Sequence, residues 1–415
     1  MLRTSVFGGA ASALRVPIFR NYFLGHFIAS IGRWMYRMSI GWLAWELTTS
    51  TVWVGAVAFS DLVPSAVLTI FAGAITDRFG YMRIIRHSLV VVMSFMTLLG
   101  ALVLTHAITV ELLIVIALIT GSAESLSQPA RLAIVNALVP RHDLSAAIAL
   151  GSTSFNASRI VGPSIAGLLI LATSVGVVML LCALAVFYFW IVVRRIHLEE
   201  KSNPKKQGDS LWRDTLAGFV YVLNHRGIRF VMILLTATSL LVRPVIELLS
   251  SISDTIFKAG PTGLSMMLSG IGVGAVTASL VLARRGQTKG LTRVLVWSTF
   301  GTGISVWVAL HSPDIKLAAL AFCSMGVFML CGNVSAQTLV QNNVSNEMRA
   351  RVLGLFILFG HGLPALGALA QGWLATFFGL PAAVGGSAVL MLAFWIWAMF
   401  HQRAMIGELE QVGDD

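Results

Sequence analysis

The sequence predicts an all-α membrane protein of twelve transmembrane helices arranged as two pseudo-symmetric six-helix bundles. Three observations carry that expectation. First, 57% of the 415 residues are hydrophobic and only 11% are charged, against about 25% charged in an ordinary soluble domain. Mean hydropathy is +0.84. So few charges cannot cover a water-facing surface. Second, the apolar residues fall into runs of the length that crosses a bilayer, about 20 residues each. Third, the longest polar stretch, from Arg194 to Arg213, lies near the middle of the chain. It leaves six runs on either side.

The runs lie at 21–46, 53–76, 87–107, 110–130, 144–172, 175–194, 225–252, 260–283, 291–311, 316–341, 350–377 and 381–402. Each is bounded by charged residues or by Gly/Pro turns. The predicted division is an N-terminal bundle over 1–194, a cytoplasmic linker over 195–224 and a C-terminal bundle over 225–415. The segment Met1 to Arg20 has no short apolar core followed by a cleavage site, so no signal peptide is expected. Alternate loops collect the basic residues, including Arg78, Arg83, Arg86, Arg131, Arg141, Arg194, Arg195, Lys205, Lys206, Arg284, Arg285, Arg349 and Arg351. The other set carries only Lys258 and Lys316. By the positive-inside rule both termini are expected in the cytoplasm of a bacterial cytoplasmic (inner) membrane. The net charge of +11 is then a property of membrane loops, and no nucleic-acid partner is expected. Cys182, Cys323 and Cys331 sit inside apolar runs without metal-ligand spacing. They are expected to be small core residues, with no metal and no cofactor. Two echoing six-helix halves imply a transporter with a midplane site between them.

Between the second and third runs stands Gly73-Ala-Ile-Thr-Asp77-Arg78-Phe-Gly80-Tyr-Met-Arg83. Gly80 permits a tight turn, Asp77 offers a carboxylate and the arginines suit a cytoplasmic loop. This stretch resembles the signature loop of the major facilitator superfamily, although Tyr81 and Met82 stand where basic residues are common. The first run, with Gly32-Arg33-Trp34-Met35-Tyr36-Arg37, and the segment Val139-Pro-Arg-His-Asp-Leu144 resemble the drug-efflux and enterobactin-exporter branch of that superfamily. So does Asn156, Arg159 and Gly162-Pro163-Ser-Ile-Ala-Gly167 in the fifth run. The resemblance implies the major facilitator fold, a monomer, and Asp77 meeting the start of the eleventh helix near Arg351 as a gating contact. It also implies an exporter motif in the fifth helix, built on Arg159, Gly162, Pro163 and Gly167. Read from the residues alone, Ser158, Gly162 and Ala166 form a small face that suits plain helix packing equally well. Gly270-Ile-Gly272-Val-Gly274 lies in an apolar run with no strand before it, so close helix packing is expected there, not a dinucleotide loop.

Ionisable residues inside a bilayer are costly and mark function or paired structure. The mid-run set is Arg33, Arg37, Asp61, Glu124, Arg159, Arg243 and Glu247. Two readings stand. In one, Arg37 pairs with Asp61 and Arg243 with Glu247, and the pairs only close one side of the protein. In the other, Asp61 or Glu124, with Glu247 next, carries protons and couples transport to a gradient. His361 in the eleventh run is either a proton relay or a hydrogen-bonded packing residue. The resemblance puts the first, fourth, seventh and tenth helices around a central cavity. Arg33, Tyr36, Arg37, Arg243, Asn333 and Gln337 are then the candidate substrate contacts. Arginine holds carboxylates and phosphates bidentately, which favours anionic or zwitterionic cargo. The expected activity is proton-coupled export of small amphipathic organic molecules by alternating access. Export of anionic compounds such as siderophores, or carriage of a lipid-like substrate, is the alternative. No Gly-x-x-x-x-Gly-Lys-Ser/Thr run and no His-Glu-x-x-His occurs, so neither ATP hydrolysis nor metalloenzyme chemistry is expected. A transport-dead sensor or assembly factor stays open at this level.

Overall fold

The computed structural model describes residues 12–196, 211–285, 289–345 and 347–410; the side chains of 69–71, 73, 74, 77, 211–215, 283–285, 350 and 361 lie outside the description. The described residues form α1 (Pro17–Thr48), α2 (Thr51–Phe79), α3 (Tyr81–Leu104), α4 (Val110–Leu138), α5 (Leu144–Ala172), α6 (Val175–Arg195) and α7 (Leu211–Asn224). They continue as α8 (Arg226–Leu241), α9 (Leu249–Thr255), α10 (Gly260–Arg285), α11 (Leu291–Leu310), α12 (Ile315–Asn343), α13 (Arg349–Phe378) and α14 (Leu380–Leu409). Short 3₁₀ turns occupy Arg141–Asp143 and Arg243–Ile246.

Local chemistry sets the ends. Thr109, Ser174 and Asp314 cap α4, α6 and α12 by accepting from backbone N–H groups of the first turn, a contribution of about 1 kcal/mol each. Gly80 has φ +84°, a conformation that lets α2 reverse directly into α3 without the penalty a side chain would bring. Gly290 and Gly379 serve the same purpose before α11 and α14, with φ +83° and +81°.

By length and apolar composition, 11 of the described helices can cross a membrane. α1 is the twelfth. Its 32 residues reach about 48 Å, and its hydropathy is lowered by Arg33 and Arg37, which have ion partners inside the fold. The seventh span is not one helix. It is α8, the 3₁₀ turn and α9 in succession, where the sequence reads as an unbroken run. The second part of the expected linker is also helical: α7 packs on α8 and α13. The rest of that linker, 197–210, lies outside the described residues.

α1 packs on α5 and α6, and α2 packs on α4; α10 packs on α12, and α11 packs on α12 and α14. Two long seams join the first six helices to the later ones, α2 with α13 and α5 with α10. Small residues make these seams close. A Cβ added at Gly55 would lie 2.6 Å from the Ala368 carbonyl oxygen, and one at Gly167 would lie 2.5 Å from the Ser265 Cβ. Where α5 crosses α1, one at Gly162 would lie 2.6 Å from the Trp34 Cβ. Gly270 meets α12 and Gly272 meets α5, so the glycine run in α10 is packing, as expected. Without a hydrophobic driving force between helices in lipid, close backbone approach is what holds such bundles together. Outward positions are bare apolar side chains: Phe400 is 82% exposed and Leu168 68%, which suits acyl chains.

Gly162→Val should overpack the α1–α5 crossing and destabilise the protein by about 1–3 kcal/mol. Gly151→Ala, where an added Cβ meets nothing within 4 Å, should be neutral or stabilising by up to about 1 kcal/mol. Thermal unfolding of the two purified variants in the same detergent checks the contrast.

Candidate functional site: a charged cavity sealed at one end

The charged residues of α1 reach out to other spans. Arg33 pairs with Glu124 on α4, and Glu124 is held from its other oxygen by Arg131 on the same helix. The expected end of the fourth run at 130 is therefore too early. α4 continues to Leu138, and Arg131 is a membrane-embedded partner, not a loop residue. The spacing of seven residues from Glu124 to Arg131 puts both on one helical face, and that was the available signal.

Four residues further along α1, Arg37 pairs with Glu247, beyond the 3₁₀ turn of the seventh span. This corrects the expected pairings of Arg37 with Asp61 and of Arg243 with Glu247. The break in the seventh span explains the change. In a continuous helix Glu247 would stack one turn from Arg243, whereas the 3₁₀ turn rotates it towards α1. Arg243 instead donates from Nη1 to the Gly360 carbonyl of α13 at 2.6 Å. Asp61 makes no hydrogen bond or ion pair among the described residues. It stands in the field of Arg37 and Arg33 without touching either. Its position follows from Gly121, whose lack of a Cβ lets the Asp61 carbonyl sit against α4.

Tyr36 lies between the two charged layers, its hydroxyl 2.8 Å from Thr120 Oγ1. Trp34 is flanked by Arg37 and Arg159, whose guanidinium carbons lie 5.6 Å and 5.3 Å from the ring centroid. Such cation–π contacts are worth up to about 2 kcal/mol when desolvated, and they leave the Arg159 N–H groups free to bind something else. Trp34 Nε1 is buried without a partner among the described residues. The side chains of Arg33 and Arg37 are still 35% and 30% exposed, so the cluster faces open space. Asn333 borders this region and Gln337, one turn along α12, is exposed.

The break in the seventh span has its own supports. Val242 to Ile246 leaves helical carbonyls without their usual donors. Gln371 Nε2 donates to the Leu241 carbonyl at 2.7 Å and to Ser387 Oγ at 3.0 Å. Gly367 gives Pro244 and the Leu240 carbonyl room to approach α13. Gln371 did not emerge from the sequence; Pro244 inside an apolar run was the signal that a carbonyl there needs a substitute donor.

One end of the cavity is closed. Beyond Arg37–Glu247, Trp45 Nε1 donates to Asp254 at 3.0 Å, and Thr51 Oγ1 donates to the Gly372 carbonyl at 3.2 Å. On the other seam Ser265 Oγ donates to the Pro163 carbonyl at 2.9 Å, and Ser164 and Ser269 share a hydrogen bond of 2.7 Å. Pro163 and Gly167 thus serve the α5–α10 closure, with Gly167 set against Ser265. At the far end, α4 shares no extended packing with α12 or α13 among the described residues. The cavity opens there.

Residues 8–412 match the family described as transmembrane secretion effector. The chain belongs to that family, within the major facilitator superfamily. It is 24% identical over 400 residues to the staphyloferrin A transporter of Staphylococcus aureus, covering 94% of this chain and 98% of the relative. It is 23% identical to the multidrug efflux pump Tap of Mycolicibacterium fortuitum, over 90% and 93% of the two chains. The fold is that of solved transporters. A peptide transporter POT in complex with sulfate superposes with a TM-score of 0.75 at 14% identity over 95% of this chain and 96% of its own. The nucleoside transporter NupG gives 0.66 at 15% over 94% and 98%. The protein is a multi-pass membrane transporter.

Of the gating motif, Gly80 makes the expected turn, Arg78 lies over the Phe79 ring at 5.5 Å, and Arg83 is exposed. Arg351 packs against Gly218 of α7. Asp77, Gly73 and His361 belong to helices, but their side chains lie outside the description.

Removing one partner of the Arg37–Glu247 pair should favour the opposite opening. For Arg37→Gln or Glu247→Gln the expected shift is about 1–3 kcal/mol, discounted for partial exposure, or roughly five- to 150-fold in population. Spin labels placed on the exposed ends of α1 and α9 should report longer distances in either variant, and the charge swap Arg37→Glu with Glu247→Arg should restore the short one.

Proposed function

We propose that this transporter exports a small amphipathic organic compound carrying an anionic group, in exchange for protons, by alternating access. Residues 1–194 and 225–415 form the two rocking bodies, with 195–224 linking them. The basic loops fall at the open end of the cavity, so the positive-inside rule makes that end cytoplasmic, in a bacterial inner membrane with both termini inside. The state described is then the one that takes up cargo from the cytoplasm.

The observation that carries this reading is the charge balance of the cavity. Arg33, Arg37, Arg131, Arg159 and Arg243 face Asp61, Glu124 and Glu247. Glu124 and Glu247 are engaged, while Arg159 and Arg243 have no carboxylate within ion-pair distance among the described residues. In a region of low dielectric such a surplus favours an anion strongly. The relatives support the cargo class from two directions: one is named for staphyloferrin A and one for multidrug efflux. Apolar walls with a few placed polar groups suit such molecules.

Asp61 is the leading proton carrier. Glu124 is clasped by two arginines and Glu247 by one, and a proton has to displace a cation to reach either. Asp61 has no direct cationic partner to displace.

Reconstitution into liposomes with an internal pH dye and an imposed proton gradient tests both parts. Amphipathic carboxylates should evoke proton flux, and simple lipophilic cations should not. Asp61→Asn should abolish substrate-driven proton flux while leaving substrate binding within about threefold, since a neutral amide mimics the protonated acid. Substrate movement without proton flux in the wild-type protein would sink the coupling.

A further inference from the structure

A narrow crevice leaves the central cavity and runs between the broken seventh span, α11 and α12. Its empty volume is about 380 Å³ including the mouth, of which about 30 Å³ is wide enough for whole water molecules. That inner part holds about two waters, so it takes a chemical head group and not a whole cargo molecule. Its polar lining consists of Arg243, Thr238, Ser298, Thr299, Thr302 and Asn333. Leu234, Leu295 and Phe328 supply the apolar remainder.

The hydrogen-bonding state of this lining is specific. Thr238, Thr299 and Thr302 each give their hydroxyl hydrogen to a carbonyl one turn back, at 2.8, 3.1 and 2.9 Å. Those oxygens can therefore only accept. Arg243 uses Nη1 for the Gly360 carbonyl, and its other N–H groups have no acceptor among the described residues. Glu247, the neighbouring carboxylate that influences Arg243, is tied to Arg37. Asn333 and the Ser298 hydroxyl make no hydrogen bond among the described residues and can serve either role. One end of the crevice thus offers charged donors, and one wall offers acceptors.

We propose that the crevice is a head-group subsite for a carboxylate that carries a hydrogen-bond donor on the adjacent carbon, that is, a 2-hydroxy or 2-amino acid group. The carboxylate meets Arg243 and Asn333, the neighbouring hydroxyl or amine donates to the Thr299 and Thr302 oxygens of α11, and the apolar remainder of the cargo lies in the central cavity. This deepens, and rests on, the anionic-cargo reading above. A plain carboxylate leaves the threonine acceptors unpaired, and a plain amine leaves Arg243 facing a like charge.

The test is equilibrium binding of 2-hydroxyoctanoate, octanoate and octylamine to the full-length transporter in nanodiscs. The hydroxy acid should bind at least about fivefold more tightly than octanoate, the yield of one net hydrogen bond, and octylamine should not compete. Thr299→Val with Thr302→Val should erase the preference without weakening octanoate. Thr302→Ser, which keeps an oxygen in place, should retain it and guards against a folding artefact. Arg243→Gln should weaken both acids together. Equal binding of the two acids to the wild-type protein, or a preference that survives the double valine variant, overturns the subsite and leaves anion export standing. Binding of octylamine and of neither acid overturns the anionic-cargo reading and the subsite with it.

Discussion

The ion pair between Arg37 and Glu247 holds the described state together. A guanidinium in a membrane-spanning helix is costly, at about 2.5–3.5 kcal/mol or more when it faces hydrocarbon, and the pairing offsets part of that cost for Arg37. Their union joins α1 to the seventh span across the two groups of helices. Other contacts between the two groups of helices gather at the same end. Trp45 reaches Asp254, Thr51 reaches Gly372, and the glycine seams of α2 with α13 come into contact. A pair that forms between the halves is also one that alternating access has to break. Its strength therefore sets the balance between the two openings as much as the stability of either.

The broken seventh span makes the pairing possible. A regular helix would keep Arg243 and Glu247 on one face, where they would satisfy each other and close nothing. The 3₁₀ turn at Arg243–Ile246 separates their directions. Glu247 turns to α1, and Arg243 turns to α13 and the crevice beside α11. Mid-helix 3₁₀ segments mark hinges and sites for this reason. Gln371 of α13 donates to a freed carbonyl of the seventh span, and Arg243 donates back to a carbonyl of α13. The same helix forms the long seam with α2. Any movement of α13 against the seventh span is thereby felt both by the cationic head of the crevice and by the closed end.

Glu124 shows a different use of charge. It is shared by Arg33 and Arg131 within the first six helices, so it stays satisfied whichever way the halves move. This arrangement fixes α1 against α4 and keeps Arg33 at the cavity surface. Arg159, by contrast, rests on the Trp34 ring, a partner that neutralises nothing. One arginine is locked structurally while another keeps its charge available, although both are guanidinium groups.

The class, the superfamily and the presence of charged residues inside the apolar runs, Arg131 excepted, were legible along the chain. Those properties are linear: hydropathy is a sum over residues, a span has a fixed length, and a charge inside an apolar run is visible wherever its partner lies. Gly80, the small face of α5 and the glycine run of α10 were legible because backbone geometry and close packing demand particular residue types. The pairing of Arg37 with Glu247, the release of Arg243, the membrane depth of Arg131 and the capping by Gln371 emerged only from the folded arrangement. Each depends on how one helix is rotated against another, and a 3₁₀ turn of four residues changes that rotation without changing the apolar pattern. Which carboxylate meets which arginine is a contest among neighbours that are near in space and, for Arg37 and Glu247, 210 residues apart in the chain. Hydrophobic periodicity contains no term for it.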